Sequence, residues 1–426
     1  MEEKLGNVRR TDIVIGIPSY NNARTIGHVV RAAHAGLLKY FPQFDGLIVN
    51  SDGGSTDGTA QAVLDARVED SHLLLLQTPL KPVHRLSVPY HGIPGKGSAF
   101  RTIFEIAQQL GAKACAVVDA DLRSITPEWI DLLVRPVLLH RYDLVTPYYH
   151  RHKYDGTITN NLVYPMTRAL YGKRIRQPIG GDFGLSPALL EMYAARDDWQ
   201  SDVARYGIDI WLTTLAVAED FKICQSFLGA KLHDPKDPGS DLSAMLMQVM
   251  GSLFALMEEY QSVWPQVKGS APVDLFGFRY DVGVEPVAVN TGRMLEQFRH
   301  GLVDLAEIYE EALERETLEQ LRAAAHDGLS RLPDDVWARA VYDFAIRYHR
   351  APVGRGQLLR SLTPLYMGRV ASMVEETREM GAQEFEERME RLCRSFEENK
   401  PYLVRRWQGD KEAPEAPVEV MQEVKP

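Results

Sequence analysis

Cysteine is scarce in this sequence, where only Cys115, Cys224 and Cys393 occur among 426 residues. Three widely separated cysteines form neither a disulfide framework nor the paired spacing of a zinc site. Because proteins without disulfides are typical of reducing compartments, the cysteine content predicts a cytoplasmic protein.

Long apolar runs and an excess of positive charge are also missing. No stretch reaches the roughly 18 apolar residues of a membrane-spanning helix, and the first ten residues, MEEKLGNVRR, lack the apolar segment of a secretory signal. The net charge is −10 and the pI is about 5.7, which argues against nucleic acid as a partner. An acidic protein that binds an anion must hold it locally, with a metal ion or a few placed cations.

What the sequence does have is a composition with 45% hydrophobic and 25% charged residues, which predicts a folded protein with a sizeable core. In the first half, short apolar and β-branched runs alternate with helical patterns. The runs are DIVIGIP (12–18), GLIVNSD (46–52), HLLLLQ (72–77) and ACAVVDAD (114–121), and the helical patterns cover 22–40, 55–68 and 97–111. This alternation predicts an α/β fold with a doubly wound, mostly parallel sheet.

The second half is helical in pattern from about residue 290. Its apolar residues recur every three or four positions, and helical stretches cover 334–350 and 358–380, the latter interrupted by Pro364. We predict a first domain over 1–264, a connecting segment over 265–289, an all-helical C-terminal domain over 290–407 and a disordered tail over 408–426. The apolar helical domain also suggests a homodimer.

The stretch VVDADL (117–122) places Asp119 and Asp121 one residue apart at the end of an apolar run. They could be ordinary loop residues that cap a helix, or they could hold a divalent metal ion. Both carboxylates face one side if the backbone stays extended. Mg²⁺ and Mn²⁺ bind few protein carboxylates and complete their shell with phosphate oxygens. Such a metal ion stabilises a departing diphosphate as a Lewis acid.

Two glycine-containing motifs also allow two interpretations each. SDGGSTDGTA (51–60) is either a turn before a capped helix or a segment where Asp52 lies beside a nucleotide, with glycines that permit close approach. IPGKGSAF (93–100) does not fit a Walker A loop. Its lysine at a helix start is either a diphosphate contact or a surface residue in a flexible loop.

His233 follows an apolar stretch in FLGAKLHDPKDPGSD (227–241) and precedes a polar, proline-rich loop. A single histidine is usually structural or exposed. The functional alternative is that the imidazole completes a mixed carboxylate–histidine shell, which would favour tolerance of Mn²⁺.

The motifs IPSYNN, NSDGGSTDGT, PGKG, DAD, QPIGGDF, YGID and LH occur in this order over about residues 10–235. The ordered set resembles nucleotide-sugar glycosyltransferases of the GT-A type. Within that class it is most similar to the retaining synthases of compatible-solute glycosides, namely mannosylglycerate, glucosylglycerate and glucosyl-3-phosphoglycerate synthases. The resemblance implies that 1–264 is a catalytic domain that binds a UDP- or GDP-hexose and a divalent cation, Mg²⁺ or Mn²⁺. Mannosylglycerate synthase also carries a helical C-terminal extension.

The resemblance assigns roles to residues on the donor side. Those implied to hold the base and ribose are Pro18, Ser19, Tyr20, Asn22, Asp52 and Gly53. The family often has an acidic residue where Asn22 stands. Those implied for the diphosphate and metal are Lys96, Asp119 and the two metal ligands Asp121 and His233. Those implied to approach the sugar are Gly180, Gly181 and the two candidate catalytic residues Asp182 and Asp209.

The acceptor is implied to bind at HRHKYDGTITNN (150–161). Arg151 and Thr159 match residues that hold the glycerate carboxylate, and arginine can bind a carboxylate bidentately. The alternative is that Arg151 is a surface charge in a basic loop. Thr157 stands where phosphoglycerate-using relatives have an arginine, which predicts a non-phosphorylated acceptor unless Lys153 or His152 takes that role.

The predicted reaction is transfer of glucose or mannose to a small hydroxy acid, with D-glycerate favoured, and with the retention that the resemblance implies. One alternative is an inverting transferase of the same fold for a polysaccharide or lipid-linked sugar, with Asp182 as general base. Another is a non-catalytic nucleotide-sugar-binding protein whose helical domain binds a partner.

Overall fold

The computed structural model describes residues 9–66, 83–89, 94–232, 242–280, 282–326, 331–351 and 353–409. The predicted strand over 72–77, the predicted metal ligand His233 and residues 410–426 of the predicted tail lie outside these ranges. Within the described ranges, no helix has both the length and the apolar character needed to cross a bilayer.

An eight-stranded sheet forms the centre of the first half, in the order β10-β8-β5-β7-β4-β1-β2-β3. Its strands are β1 Ile13–Ser19, β2 Gly46–Asp52, β3 Val83–Pro89, β4 Ala114–Val117, β5 Leu144–His150, β7 Phe183–Leu185, β8 Ile223–Ala230 and β10 Asp274–Phe276. All neighbouring strands pair in parallel except at β7, which is antiparallel to β4 and β5. β1, β2 and β4 are buried along nearly their whole length, as expected for apolar strands covered on both faces.

Helices cover both faces of this sheet. They are α1 Ile26–Tyr40, α2 Thr59–Asp65, α3 Lys96–Gln109, α4 Pro127–His140, α5 Tyr164–Tyr171, α6 Pro187–Ala194 and α7 Ile208–Ala218. A π-helical turn, Thr159–Val163, leads into α5. The predicted α/β class with a mostly parallel sheet is confirmed. The predicted strand over 114–121 is shorter, since β4 ends at Val117 and both aspartates of the DAD stretch lie in the loop beyond it.

The second half is helical, as predicted. Its helices are α8 Ser243–Glu259, α9 Thr291–Asp304, α10 Ala306–Ala312, α11 Arg315–His326, α12 Asp334–Arg350, α13 Arg355–Thr377 and α14 Ala382–Trp407. The expected interruption at Pro364 is wrong, because α13 runs through this proline. Proline removes one helical hydrogen bond. The ring of Pro364 packs against Gly301 of α9, and a Cβ at position 301 would collide with this ring.

One hydrophobic core connects the α3 side of the sheet to the helices of the second half. Phe100 and Phe104 of α3 belong to the same buried cluster as Trp337 of α12 and Tyr366 of α13. The segment 265–289 contributes β9, Ala271–Pro272, which pairs with β6, Lys173–Arg174, and then the edge strand β10 of the main sheet. The helical region therefore packs directly on the sheet domain.

Candidate active site

A cleft of about 1010 Å³ opens at the carboxyl ends of the central strands. Ligands of doubly wound sheets bind at this edge. The predicted site residues on its wall are Pro18, Ser19, Tyr20, Asn22, Gly53, Lys96, Asp119, Asp121, Arg151, Thr157, Thr159, Gly180, Gly181 and Asp209. The fold thus brings the separate motifs of the sequence to one place.

Asp52 does not line this cleft. Its carboxylate lies beneath the first two loops, where it accepts hydrogen bonds from Ser19 Oγ at 3.0 Å and from the backbone N–H groups of Gly54 and Ser55 at 3.0 and 2.8 Å. Asp52 therefore fixes the shape of the loop that carries Gly53 and Gly54 onto the wall. Its predicted direct contact with a nucleotide is not supported by this position.

The exposed Tyr20 and the nearby Asn22, both predicted donor-binding residues, lie on the cleft wall. The side-chain oxygen of Asn22 accepts a hydrogen bond from Tyr20 N–H at 2.8 Å, and Asn22 N–H donates to Thr59 Oγ1 at 2.8 Å. Both ends of the asparagine are thus anchored to the protein. Tyr20 is 65% exposed, so its ring is accessible from the cleft.

The glycines on either side of Lys96 serve packing. A Cβ at Gly95 would lie 2.5 Å from Ala204 O, and one at Gly97 would overlap Val203 O. The absence of side chains lets the 3₁₀ turn Asp202–Ala204 rest on the start of α3. Lys96 is the first residue of α3 and faces the cleft. Its ammonium group and the positive end of the helix therefore both favour negative charge in the cleft.

Five charged groups form a continuous ionic network along the cleft floor. Lys96 Nζ lies 2.8 Å from Asp119 and 3.3 Å from Asp209. Lys231 Nζ lies 2.8 Å from the other Asp119 oxygen and 2.9 Å from Asp182, and it donates to Gly180 O at 2.7 Å. The network thus holds two cations and three carboxylates, which is a net charge of −1 when all are ionised.

Burial and ion pairing have opposite effects on the pKa values of Asp119 and Lys231 in this network. Burial alone would raise the pKa of Asp119, but Lys231 and Lys96 outweigh it and hold the pKa well below that of an ordinary aspartate. Burial lowers the pKa of a lysine, yet the surrounding carboxylates raise the pKa of Lys231 above its ordinary value. Asp119 is therefore ionised and both lysines are charged at neutral pH.

Position 181 requires a glycine, because the side chains of Asp119 and Lys96 lie directly against its backbone. Its φ is +90°, in the left-handed region that favours glycine. A Cβ there would overlap the Asp119 carboxylate and lie 3.0 Å from Lys96 Nζ. The GGD motif, Gly180 to Asp182, thus allows the backbone to pack in direct contact with the ionic network.

Asp182 lies under the cleft wall and has no exposed surface. Its carboxylate accepts hydrogen bonds from Asp119 N–H at 2.8 Å, from Lys231 Nζ and from the Tyr149 hydroxyl. Burial, aided by the charge of Asp119 and opposed by Lys231, raises the pKa of Asp182. The structure therefore gives Asp182 the position of a support for Asp119 and Lys231.

Asp121 lies on the cleft wall, two residues beyond Asp119. Both oxygens of Asp119 are bound by lysines, whereas the Asp121 carboxylate has no hydrogen-bond or ion-pair partner among the described residues. The part of the chain that the structure describes contains no cluster of three metal-ligating side chains. Asp121 thus presents an unpaired carboxylate to the cleft, and the other predicted metal ligand, His233, lies outside the described residues.

Arg151, which belongs to the predicted acceptor loop, lies on the cleft wall. Its guanidinium stacks on the Tyr149 ring with 5.0 Å between Cζ and the ring centroid, and its buried Nε has no hydrogen-bond partner in the described structure. Gly156 makes room for it, since a Cβ there would lie 2.8 Å from Arg151 Nη1. An unsatisfied buried donor is costly, so this geometry suits an anionic ligand.

Two further residues of the predicted acceptor loop, Thr157 and Lys153, contact the helical region. Thr157 is buried, with Oγ1 at 2.6 Å from the Tyr366 hydroxyl. Lys153, considered above as a substitute phosphate contact, instead donates to the backbone oxygens of Thr377, Arg378 and Met380. That alternative is corrected, because the Lys153 ammonium is used to bind the end of α13.

Lys231 and Tyr149 are site residues that motif reading did not find. Lys231 directly follows β8 at the carboxyl edge of the sheet, two positions before His233. The period-two argument applied to Asp119 and Asp121 could have placed the Lys231 side chain on the same side as His233. Tyr149 gives no comparable signal, since aromatic residues are frequent in buried strands.

No family model and no curated protein matches the chain. Solved structures similar to it include glucosyl-3-phosphoglycerate synthase from Mycobacterium tuberculosis in complex with Mn²⁺, UDP and glucosyl-3-phosphoglycerate, with 22% identity and a TM-score of 0.43 over 60% of this chain and 82% of that chain. The complex with Mn²⁺, UDP-glucose and phosphoglyceric acid has 21% identity and a TM-score of 0.44 over the same shares. These structures belong to one of the enzymes that the ordered motifs resemble.

Proposed function

We propose that this protein is a metal-dependent, retaining glycosyltransferase that moves glucose or mannose from a UDP- or GDP-sugar to a small hydroxy acid, with D-glycerate favoured. One observation carries the proposal. The Asp119 carboxylate is held between Lys96 and Lys231 in a cleft that also presents the open carboxylate of Asp121 and the unsatisfied Arg151. The cleft thus offers the Lys96 ammonium group for a diphosphate, a carboxylate for a metal ion and a guanidinium for an acceptor anion.

On the donor side, Lys96 and the N-terminal end of α3 face the cleft together. We assign this end to the diphosphate, because backbone N–H groups and an ammonium both bind anions. Asp209 Oδ1 lies 3.3 Å from Lys96 Nζ but is buried and accepts no hydrogen bond in the described structure. It is available to accept hydrogen bonds from hydroxyl groups of the sugar.

The divalent cation would be held by Asp121 and, as a second protein ligand, by His233, with phosphate oxygens completing its shell. The similar synthase structures contain Mn²⁺ or Mg²⁺ together with UDP. When bound, the cation neutralises the charge that develops on the diphosphate as it leaves. Lys96 supports the same charge from the protein side.

On the acceptor side, the cations on the described cleft wall are Lys96, Arg151, Arg205 and Lys231. Lys96 is assigned to the diphosphate, Lys231 is bound by Asp119 and Asp182, and Arg205 lies beside Gly95 at the start of α3. Arg151 alone therefore remains for the acceptor, which favours a monoanion such as glycerate. The similar structures contain phosphoglyceric acid or glycerol 3-phosphate. Our proposal therefore differs from those enzymes in the acceptor, which is not phosphorylated here.

The inverting alternative requires a base that reaches the acceptor hydroxyl. Asp182 is fully buried and its oxygens are occupied by Lys231, Tyr149 and the Asp119 N–H group. This placement favours the retaining reaction, in which the leaving phosphate takes the acceptor proton and the protein orients the reactants.

A donor–acceptor matrix tests the proposal. UDP-glucose, GDP-glucose, UDP-mannose and GDP-mannose are each combined with D-glycerate, 3-phosphoglycerate and lactate, with and without Mn²⁺, and the product anomer is read by NMR. We expect an α-linked hexosylglycerate that requires the metal and is lost in Lys96→Ala. Lys113→Ala, which removes an ion pair with Asp12 outside the cleft, is the control. A β-linked product would support the inverting reaction, and no turnover of any donor would support the binding protein.

A further inference from the structure

The predicted acceptor loop, residues 150–161, rests on one face of α13 in the helical region. Thr157 Oγ1 lies 2.6 Å from the Tyr366 hydroxyl, in a contact where both residues are buried. Three residues further along α13, Arg369 Nε donates to the Asn161 side-chain oxygen at 3.0 Å. These bonds join segments more than 200 positions apart in the sequence.

The same face continues to the end of α13. Met373 Sδ accepts from the Asn161 amide at 3.2 Å, Val374 O accepts from the Tyr154 hydroxyl at 3.1 Å, and Thr377 O accepts from Lys153 Nζ at 2.6 Å. Positions 366, 369, 373 and 377 are spaced by three or four residues, so they form one stripe of the helix. A single helix face therefore holds the loop at both ends and in the middle.

The loop that this stripe holds also contacts Arg151. The loop turns at Gly156, which has a φ of +72° and whose Cα faces Arg151 Nη1. Gly156 directly precedes Thr157, the residue bonded to Tyr366. A shift of the loop at Thr157 would therefore move the turn against which the guanidinium rests.

We infer that α13 is a positioning element for the acceptor site. Tyr366 of this helix and Lys153 of the loop are the positioning residues that join the two. This inference rests on the proposed function in treating 150–161 as the acceptor loop. It gives the helical region a defined role, in which it sets the shape of the acceptor site and leaves the donor side unaffected. None of these contacts involves Lys96, Asp119 or Asp209.

Tyr366→Phe removes one hydroxyl from a buried side chain. Its matched control is Tyr342→Phe, because Tyr342 is also fully buried and donates to Phe396 O at 2.7 Å within the helical region. Loss of a neutral hydrogen bond predicts an acceptor KM higher by about threefold to tenfold in Tyr366→Phe. UDP affinity measured by calorimetry should not change in either variant, and acceptor KM should not change in Tyr342→Phe.

Lys153→Met tests the end of the stripe, with Lys400→Met as control, since Lys400 Nζ also donates to a backbone oxygen, that of Val267, away from the cleft. Hydrogen exchange of peptides that cover 150–161 provides a readout that needs no acceptor. We expect faster exchange there in Tyr366→Phe and Lys153→Met than in their controls. Unchanged exchange and unchanged acceptor KM in both would overturn the inference. Faster exchange in a protein that transfers no sugar would leave α13 as the support of the loop and reject the proposed function instead.

Discussion

Lys231 Nζ lies 2.8 Å from Asp119 Oδ2, although β8 and β4, the strands that precede these two residues, are separated in the sheet by β5 and β7. The same ammonium group binds Asp182 at 2.9 Å, so one lysine joins the DAD stretch to the GGD motif. Lys96 binds the remaining oxygen of Asp119. Asp119 therefore serves as the centre of a buried ionic network, whereas Asp121 faces the cleft without a hydrogen-bond or ion-pair partner among the described residues.

Removal of Lys231 should destabilise the protein. Lys231→Met would leave Asp182 fully buried without its cation, and breaking a buried ion pair in this way costs about 3–5 kcal/mol. Urea denaturation should show this loss, and the double variant Lys231→Met with Asp182→Asn should recover part of it. Equal stability of the single and double variants would contradict the pairing.

Asp121 should be essential for the metal response and dispensable for folding. Because its carboxylate has no partner in the described structure, Asp121→Asn should retain the urea midpoint of the wild type. Activity should fall by orders of magnitude, because Lewis-acid stabilisation of a leaving group is worth several kcal/mol. EDTA should abolish wild-type transfer and Mn²⁺ or Mg²⁺ should restore it. Full activity in excess EDTA would rule out the metal site.

Arg151 should control acceptor binding. Arg151→Ala removes a charge-assisted contact, which predicts an acceptor KM raised by about tenfold to a hundredfold, with UDP affinity near wild type. Arg135→Ala, which removes a surface ion pair with Asp131 on α4, is the control. A wild type that prefers 3-phosphoglycerate over D-glycerate would show that the acceptor contacts are assigned incorrectly.

Asp343 in α12 should give the stability a pH dependence that is independent of the cleft. Burial raises the pKa of Asp343 to about 6, despite hydrogen bonds from the Tyr402 hydroxyl and the Glu314 N–H group and an ion pair with Arg406. A carboxyl with a raised folded-state pKa stabilises the protein below its unfolded pKa, and this contribution is lost as the pH rises through the folded value. Between pH 4 and pH 7, the free energy of unfolding of the wild type should therefore fall by about 2 kcal/mol relative to that of Asp343→Asn. Parallel stability curves from urea denaturation at these pH values would contradict the shift.

The sequence by itself determined the class of fold and the edge at which the site lies. Strands and helices were predictable because hydrophobic periodicity is a local property, and the edge followed because parallel strands end together. Asp119, Asp121, Lys96 and Arg151 each follow a recognisable apolar run or motif and do line the cleft. The continuity of α13 through Pro364 was not predictable in this way, and neither was the close packing of this proline on Gly301 of a different helix.

Only the tertiary structure decided how these residues divide their tasks. Asp52 and Asp182 have the same sequence signal as the residues that line the cleft, yet they lie beneath its wall and hold loops and lysines. Lys153 lies in a basic loop, and only the fold brings it to the end of α13, 224 positions away. Burial and ion pairing depend on neighbours that are distant in sequence, so the local pattern identifies a candidate residue, whereas the packing around it determines whether its charge faces a ligand or another part of the chain.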